Sequence, residues 1–253
     1  MFNQLVLNKI MTYLGLQDLY NCSVVCKKFN EAFNNILLWK KKTQNLSQFT
    51  LDYIKRDIYV PQNTELDRLK SLYAIDYLSR RIPGDYFNES TLILPINSER
   101  ITKFPLSVFL VTDLEYLKIK HSSIKRIPNH FDKMPLLERF TCKNSMVREL
   151  PEMPYVQLLN VKNNYFKDFN TVPKHITYLN IQHNLLENLK GIGEFSNLRK
   201  LNVSFNKFIE FPAEIKNCVN LEKIKAVNCR ITDIKHIHKI PKLRALDISY
   251  NTI

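Results

Sequence analysis

The stretch ITYLNIQHNLL at residues 176–186 and the stretch LRKLNVSFNKF at residues 198–208 follow one pattern. Both have apolar residues at their first, fourth, sixth and last positions, and an asparagine two residues before the end. Six further copies open at residues 91, 114, 137, 156, 221 and 243, so that eight copies, the first degenerate, lie 19 to 23 residues apart. Such a repeat predicts a solenoid, because a single copy cannot bury a core alone and must stack on its neighbours.

This spacing is the leucine-rich repeat pattern, whose period is about 20–29 residues, and it covers residues 91–253. The x-L-x-L-x alternation predicts a short strand in each copy, with the leucines pointing inward and the x residues outward. Asparagines 164, 184, 206 and 251 follow the strands, where an amide can satisfy the backbone groups of stacked turns, and Cys229 takes the same position. We therefore predict an α/β protein with a C-terminal solenoid of about eight repeats and a parallel sheet on its concave face.

The end of the chain leaves one question open. The sequence stops at Ile253, just after the strand and asparagine of the eighth copy. Solenoids need polar caps at their ends. The last strand is therefore expected to be an exposed edge, to be covered by a partner, or to be the end of a truncated chain.

The repeat register also predicts which side chains line the concave sheet. Its twenty-four outward positions, counting Ile93, Pro95 and Asn97 of the first copy, include eight cations and one acid. Such cations can donate several charge-assisted hydrogen bonds to carboxylate or phosphate, and tyrosines often anchor interfaces. We expect this face to bind an acidic or phosphorylated protein segment, the alternative being a solvated basic face without a ligand. The expected substrate-binding residues are Tyr116, Lys118, Lys120, Arg139, Lys143, Lys162, Tyr178, Lys200, Lys223 and Lys225.

Composition constrains the function less than the repeats do. The formal charge of +13 accompanies a high content of Lys, Asn and Ile, as an A/T-rich genome would encode, so net charge alone decides nothing. Five cysteines at irregular spacing fit neither a disulfide framework nor a zinc site, and predict reduced structural thiols. No apolar run approaches the roughly 18 residues that span a bilayer, and the N-terminus lacks a secretory pattern. We expect a cytoplasmic or nuclear protein without membrane association.

Residues 1–40 do not repeat, and their periodicity predicts three short helices. The first, over about residues 2–14, has a narrow polar stripe of Gln4, Asn8 and Thr12 and is apolar over most of its remaining circumference. One buried face requires an apolar stripe of about 100°, so this helix has two surfaces to bury. One packs on its own small core. The other packs either on the first repeat, as a cap, or on another protein, and periodicity leaves both possibilities open.

Residues 1–40 also contain four segments of a recognisable motif: Val6-Leu7-x-x-Ile10-Met11-x-Tyr13-Leu14, Asp18-Leu19, Val25-Cys26-Lys27-Lys28-Phe29 and Leu38-Trp39. Together they resemble the F-box motif, although the family's opening Leu-Pro is replaced here by Phe2-Asn3 and its usual Trp by Phe29. The resemblance implies a three-helix module that docks on the Skp-type adaptor of a Skp–cullin–F-box ubiquitin ligase, while the repeats hold a protein substrate. The adaptor-binding residues implied by the resemblance are Phe2, Val6, Ile10, Leu14, Leu19, Val25 and Cys26.

Residues 41–90 separate this module from the repeats. Thr64 is followed three residues later by Asp67, an arrangement similar to a capping box, and apolar residues at helical spacing come after it. We predict a helical linker that caps the first repeat. The expected organisation is therefore an F-box-like helical module at 1–40, a linker and cap at 41–90, and repeats at 91–253.

Enzymatic activity is not expected, and we predict no catalytic, cofactor-binding or metal-binding residues. The chain has only four glycines and no phosphate-binding loop, and His236-x-His238 lacks a third metal ligand. The main alternative to a ligase adaptor is a leucine-rich repeat scaffold or phosphatase-regulator-like protein whose N-terminal helices are only a cap. Nucleic-acid binding through the basic face is disfavoured, because no recognised nucleic-acid motif is present.

Overall fold

A computed structural model of the chain describes the backbone of residues 87–88 and 91–94, and describes residues 104, 108–109 and 114–253 in full. The chain divides into two compact units, the second comprising residues 93–104 and 115–253. Two short strands, β1 (Phe87–Asn88) and β2 (Thr91–Leu94), pair antiparallel. Seven further strands lie in the second unit: β3 (Tyr116–Lys120), β4 (Arg139–Lys143), β5 (Leu158–Asn160), β6 (Tyr178–Asn180), β7 (Lys200–Asn202), β8 (Lys223–Lys225) and β9 (Ala245–Asp247).

Strands β3 to β9 form a parallel sheet in chain order, as the repeat pattern predicts. Equivalent repeat positions face one another without a register slip, so that Tyr178 pairs with Lys200, which in turn pairs with Lys223. The alternation of side chains also follows the prediction, because Leu179 and Leu201 are buried while Tyr178, Lys200 and Asn202 beside them are accessible. Asn180 is the exception, an outward residue that is itself buried. The sheet therefore presents a continuous grid of outward side chains.

The convex side of the repeats is built without α-helices in the described residues. A repeat of 19 to 23 residues leaves too few residues after the strand and turn for an α-helix of ordinary length. The α-helices predicted for residues 1–40 and for the linker lie outside the described residues. The return segments contain the 3-10 helices Phe131–Lys133, Ile192–Glu194, Ala213–Asn217 and Ile237–Lys239.

A row of phenylalanine side chains fills the space between the sheet and the convex segments. Their rings meet edge to face at centroid distances of 5.4 Å for Phe131 and Phe140, and 5.6 Å for Phe169 and Phe195. Such edge contacts add to the stabilisation from apolar burial. The largest fully buried side chains are Phe109, Phe131, Phe140, Phe166, Phe169, Phe195, Phe208 and Phe211.

The start of the solenoid departs from the expected register. Each of the strands β3 to β9 begins two residues after its copy opens, whereas β2 begins at Thr91, where the first copy opens. The segment 41–90, expected to be helical, contains β1 near its end. Aromatic and β-branched residues such as Phe87, Thr91 and Ile93 favour paired strands here. The remainder of the predicted linker, the module at 1–40 and the expected outward positions Pro95 and Asn97 lie outside the described residues.

Candidate protein-binding surface

The turn that follows each strand holds the concave face in register. Asn184 donates from Nδ2 to the backbone carbonyls of Val161 and Ile181 at 3.0 and 2.9 Å, and its Oδ1 accepts from the backbone amide of Phe166 at 3.0 Å. Asn164, Asn206 and Asn251 make equivalent bonds in their own repeats. The predicted role of these asparagines is confirmed. Each amide ties one repeat to the previous one, which fixes the spacing of the outward side chains.

The same turn position is filled by three other residues. Cys229, as predicted, donates from its thiol to the carbonyl of Val203 at 3.3 Å. Ser122 and Ser145 fill the position in the copies that open at residues 114 and 137, and their hydroxyls lie 2.8 Å apart. The ninth residue of each copy, eight positions after its opening, would have identified both serines in the sequence.

Strained backbone precedes every one of these turn positions. His121, Asn144, Asn163, His183, Phe205, Asn228 and Tyr250 all have positive φ angles between 49° and 57°. A non-glycine residue in this conformation costs free energy unless its surroundings fix it. The row borders the concave sheet. Within it, the rings of His183 and Phe205 stack at a centroid distance of 4.2 Å and an interplanar angle of 6°.

The ten residues expected to bind substrate all occupy the concave side of the sheet, but they do not form one uniform patch. One group, which we call the lysine cluster, consists of Lys118, Lys120, Lys143 and Lys162. Lys120 is the direct cross-strand partner of Lys143, and the amide of the next residue, Asn144, donates to the carbonyl of Lys162 at 3.1 Å. Lys120, Lys143 and Lys162 therefore lie side by side, at or just after the carboxyl ends of β3, β4 and β5. All four side chains are half-buried.

The charges of the lysine cluster repel one another. The pKa of Lys143 is held below its usual value, first by burial and then by the charges of Lys118, Lys120 and Lys162. The pKa of His183 is also lowered, by burial and by Lys162. Within the described part of the chain, Lys143 and Lys162 form no ion pair with a carboxylate. This part of the face is therefore electropositive.

The second cationic group lies further along the sheet and has acidic neighbours. It comprises Lys200, Lys223 and Lys225, all exposed. The pKa of Glu222 is lowered by its hydrogen bond from Arg199 and by other nearby cations, including Lys200. The pKa of Asp247 is likewise lowered, mainly by hydrogen bonds from Ser249 and further by Lys225 and Lys223. These two carboxylates offset part of the positive charge here, so the expected substrate-binding cations are not equivalent.

A depression of about 500 Å³ lies next to the lysine cluster, at the amino ends of β3 to β7. Tyr116, Leu158 and Tyr178 give it an apolar lining, and the hydroxyl of Tyr116 lies 3.2 Å from that of Thr141. Arg139 and Lys200, both expected binding residues, also line it. Thr177, Arg199 and Glu222 were not among the expected residues. They immediately precede the strands, and the repeat register alone gave no reason to include them.

The three described cysteines are structural. Burial raises the pKa of Cys142 to about 11 and that of Cys218 to about 12, and burial also raises the pKa of Cys229. Each is a free thiol with a buried side chain. The prediction of reduced structural thiols is confirmed for these three, while Cys22 and Cys26 lie outside the described residues.

These thiols should resist alkylation in the native protein. Iodoacetamide reacts with the thiolate, which is scarce at pH 8 for groups with such pKa values and is further shielded by burial. Peptide mapping by mass spectrometry should find Cys142, Cys218 and Cys229 unmodified at pH 8, and fully modified after unfolding in guanidinium. Rapid native labelling of any of the three would show that its repeat opens.

The described residues contain neither a cluster of metal-binding side chains nor a membrane-spanning helix. No group of three or more His, Cys, Asp or Glu side chains is placed to hold a metal ion in this part of the chain. His236 immediately precedes the 3-10 helix Ile237–Lys239, and His238 lies within it. Neither histidine belongs to a group of this kind. Among the same residues, no helix is long and apolar enough to cross a membrane.

Two family models match the chain. The F-box-like model matches residues 6–45, and the Leucine Rich Repeat model matches residues 197–218. The first match covers six of the seven residues that the F-box resemblance assigns to adaptor binding, and the second covers β7 and the convex helix that follows it. Both families are typically non-catalytic and take part in protein–protein interactions.

Similar curated proteins share only part of their length with this chain. Osteomodulin of Bos taurus is 24% identical over 51% of this chain and 33% of its own length. A putative leucine-rich repeat protein of Acanthamoeba polyphaga mimivirus is 28% identical over 56% of this chain and 32% of its own. Adenylate cyclase of Schizosaccharomyces pombe is 27% identical over 90% of this chain but only 14% of its own length. The chain thus spans at most about one third of these relatives.

Two solved structures of bacterial proteins are among those similar to part of the chain. A leucine-rich repeat protein of Leptospira interrogans superposes with a TM-score of 0.47 and 15% identity, covering 64% of this chain and 55% of the other. The functional domain of InlJ from Listeria monocytogenes has a TM-score of 0.48 and 16% identity, covering 62% and 34%. The chain therefore combines an F-box-like segment with leucine-rich repeats.

Proposed function

We propose that this chain is a substrate-recognition adaptor of a cullin-type ubiquitin ligase. In this role residues 1–40 dock on a Skp-type adaptor and the concave face of the repeats holds a protein substrate. The observation that carries the proposal is the F-box-like match at residues 6–45 on the same chain as a repeat sheet with an open, charged concave face. The chain itself performs no chemistry in this role, which needs a cytoplasmic or nuclear location.

The repeat domain suits this role because its face is rigid and accessible. Asparagine ties link successive repeats, and most outward side chains of the seven parallel strands remain accessible, Thr141 and Asn180 being buried. A rigid platform holds a bound segment at a fixed distance, which ubiquitin transfer to a substrate requires. The apolar pattern predicted for two faces of the first helix supports the docking half of the proposal, since a mere cap does not need a second apolar surface.

The adaptor half can be tested by direct binding. Purified chain should bind a purified Skp-type adaptor with one-to-one stoichiometry, measured by isothermal titration calorimetry. Ile10→Asp and Leu14→Asp each place a carboxylate on the apolar surface proposed for docking, and we expect each to weaken binding by about a hundredfold or more. The reason is that a buried, unpaired charge costs several kcal/mol.

Asn8→Asp provides the matched control, because it adds the same charge on the polar stripe of the same predicted helix. It should bind the adaptor within about threefold of the unaltered chain. Unchanged far-ultraviolet circular dichroism would show that the variants still fold. If the unaltered chain fails to bind the adaptor at about 10 μM, the ligase role is wrong, and the alternative is a repeat scaffold whose first helices are a cap.

A further inference from the structure

We propose that the edge of the solenoid beyond the carboxyl ends of the strands carries a docking site for an acidic, amphipathic helix of a partner protein. The site centres on Met146, Tyr165 and Leu185, which we call the rim patch. These residues occupy one position in three successive copies, directly after the buried serine or asparagine of the turn. The inference goes beyond the proposed function, which uses residues 1–40 and the concave face, and it does not depend on the ligase role.

The rim patch is a run of large apolar side chains that the fold leaves open to solvent. Met146 is 40% exposed, Tyr165 is 44% exposed, and Leu185 is half-buried. The equivalent residues of four other copies are polar: Ser123, Lys207, Arg230 and Thr252. Since polar residues satisfy the fold at this position elsewhere in the same chain, packing within a repeat does not explain the apolar run. A contiguous exposed apolar patch marks an interaction surface, whereas isolated exposed apolar residues need no explanation.

Backbone hydrogen bonds hold the rim patch in a row. The amide of Tyr165 donates to the carbonyl of Val147, the residue after Met146, at 2.9 Å. The amide of Leu185 donates to the carbonyl of Phe166, the residue after Tyr165, at 2.8 Å. The three patch residues therefore lie beside one another in adjacent repeats, at steps close to the strand spacing of about 4.8 Å.

Basic residues accompany the rim patch at two other positions of the repeat. One position lies three residues before the patch position, at the concave side, and the other lies two residues after it. Both are basic only in the copies that open at residues 114, 137 and 156. The first position holds Lys120, Lys143 and Lys162, and the second holds Lys125, Arg148 and Lys167.

The second basic row points outward beside the patch. Arg148 and Lys167 are exposed, whereas Val147 and Phe166, which separate them from the patch residues, are buried. Within residues 114–253, neither Arg148 nor Lys167 forms an ion pair with a carboxylate. Two rows of cations thus border the apolar run, one toward the concave sheet and one toward the convex segments.

The two basic rows indicate the chemistry of the partner. An apolar run between rows of cations complements a surface whose apolar stripe is bordered by carboxylates on both sides. Exposed charges of this kind mainly steer the encounter and disfavour basic partners, while the apolar contacts supply most of the affinity. The partner is therefore amphipathic, with acidic residues beside an apolar stripe, and not uniformly acidic.

The step between repeats indicates the conformation of the partner. Three anchor points on neighbouring repeats span about 10 Å, twice the strand spacing. An α-helix presents residues i, i+3 or i+4, and i+7 on one face, over about 10.5 Å. Three side chains on one face of an extended strand span about 13 Å. A helix lying across the repeats therefore matches the rim patch better than an extended segment does.

Synthetic peptides test the site with the full chain. The probe is a fluorescent peptide of about 18 residues in an Ala/Glu background, with Leu at positions i, i+3 and i+7 and Glu beside that stripe. Fluorescence anisotropy should show saturable binding with a dissociation constant of about 100 μM or tighter. A peptide of the same composition with its Leu residues on opposite faces, and one with a central Pro, should each bind about tenfold more weakly or worse.

A pair of tyrosine variants locates the apolar contact. Tyr165→Asp should weaken binding of the helical peptide about tenfold or more, because it places a carboxylate in the centre of the rim patch. The matched control is Tyr155→Asp. Tyr155 is 43% exposed but lies in the return segment before β5, away from the patch position. This control should change the affinity no more than about twofold.

Charge reversals locate the basic contact. Arg148→Glu combined with Lys167→Glu should weaken binding about fivefold or more near physiological salt, and the loss should shrink in about 1 M salt, which screens exposed charges. Lys223→Glu combined with Lys225→Glu makes the same change in net charge on the concave sheet. It should have an effect of about twofold at most.

Three results would overturn the site: no binding of the helical peptide at about 1 mM, equal binding of the peptide with its Leu residues on opposite faces, or equal losses for Tyr165→Asp and Tyr155→Asp. Binding to vesicles of anionic lipid with the same dependence on Tyr165, and no preference for the helical peptide, would also overturn it. Binding of a Skp-type adaptor is measured on the same samples, and Tyr165→Asp should leave it unchanged. Adaptor binding without peptide binding removes only the rim patch, whereas the reverse result removes only the ligase role.

Discussion

Replacing Asn184 by Ala should destabilise the repeat domain by about 3 kcal/mol, because it leaves buried backbone groups without partners. The carbonyls of Val161 and Ile181 lose their donor, and the amide of Phe166 loses its acceptor. Each unsatisfied buried group costs roughly 1–3 kcal/mol, and water can reach few of them since Asn184 is 5% exposed. Urea denaturation should show the lower stability, and the melting temperature should fall by about 10 °C.

Two further variants distinguish the loss of the hydrogen bonds between repeats from the general effect of removing an asparagine side chain. Asn188→Ala removes an exposed asparagine that accepts one bond, from the amide of Lys190 at 3.0 Å, and it should cost less than about 1 kcal/mol. Asn184→Cys should fall between the two, because Cys229 already performs the turn role through its thiol. Hydrogen exchange should quicken most in the repeats on either side of residue 184, since repeats contact mainly their neighbours. Equal losses for Asn184→Ala and Asn188→Ala would contradict the proposed tie.

The sequence predicted the repeat sheet well because the signal is local and repeated. The alternation within TYLNI at residues 177–181 fixes which side chains face inward, and the recurring copy fixes which residues pair across strands. The observed pairing of Tyr178 with Lys200 follows from that period alone. The asparagine ties were predictable for the same reason, since one geometry recurs at one position of each repeat.

The distribution of charge on the face was less predictable. Counting outward residues treated Lys143 and Lys223 as equivalent, although the first is half-buried among lysines and the second is exposed near Asp247. Burial depends on the curvature of the sheet and on neighbouring rotamers, which the period does not encode. The contact of Arg199 with Glu222 at 2.7 Å joins residues 23 apart, one repeat period. Including the position before each strand in the register would have revealed that pair.

The beginning of the solenoid was predicted least well. Its first copy lacks the strict spacing of the later ones, and β2 begins two residues before the register of the other strands would place it. A degenerate copy carries little periodic signal, so antiparallel pairing between residues 87–88 and 91–92 can decide the local structure. Pairing partners that are close in sequence cost little loop entropy, which favours such a hairpin over a strict continuation of the repeat.

Phe195 should be among the costliest side chains to remove from the core that supports this face. It is fully buried, its ring meets Phe169 edge to face at 5.6 Å, and the ammonium of Lys174 lies 4.5 Å from the ring centroid. Phe195→Ala should destabilise the domain by about 3–5 kcal/mol, through lost apolar burial and the cavity left behind. Phe195→Leu, which fills most of the space, should cost about 1–2 kcal/mol. Both values can be measured by urea denaturation.

The matched control is Phe205→Ala, which removes the same side chain from the surface. Phe205 is 38% exposed and stacks on His183, so its loss should cost about 1 kcal/mol or less. Lys174 keeps its bond to the carbonyl of Phe169 at 2.7 Å in either variant, so the contrast measures the ring at residue 195 and not the lysine. Phe195 lies in the segment that connects β6 to β7, the strands that carry Tyr178 and Lys200 of the depression, so its loss should also loosen that surface. Equal stability of the Phe195→Ala and Phe205→Ala variants would mean that the convex core does not hold the concave sheet in place.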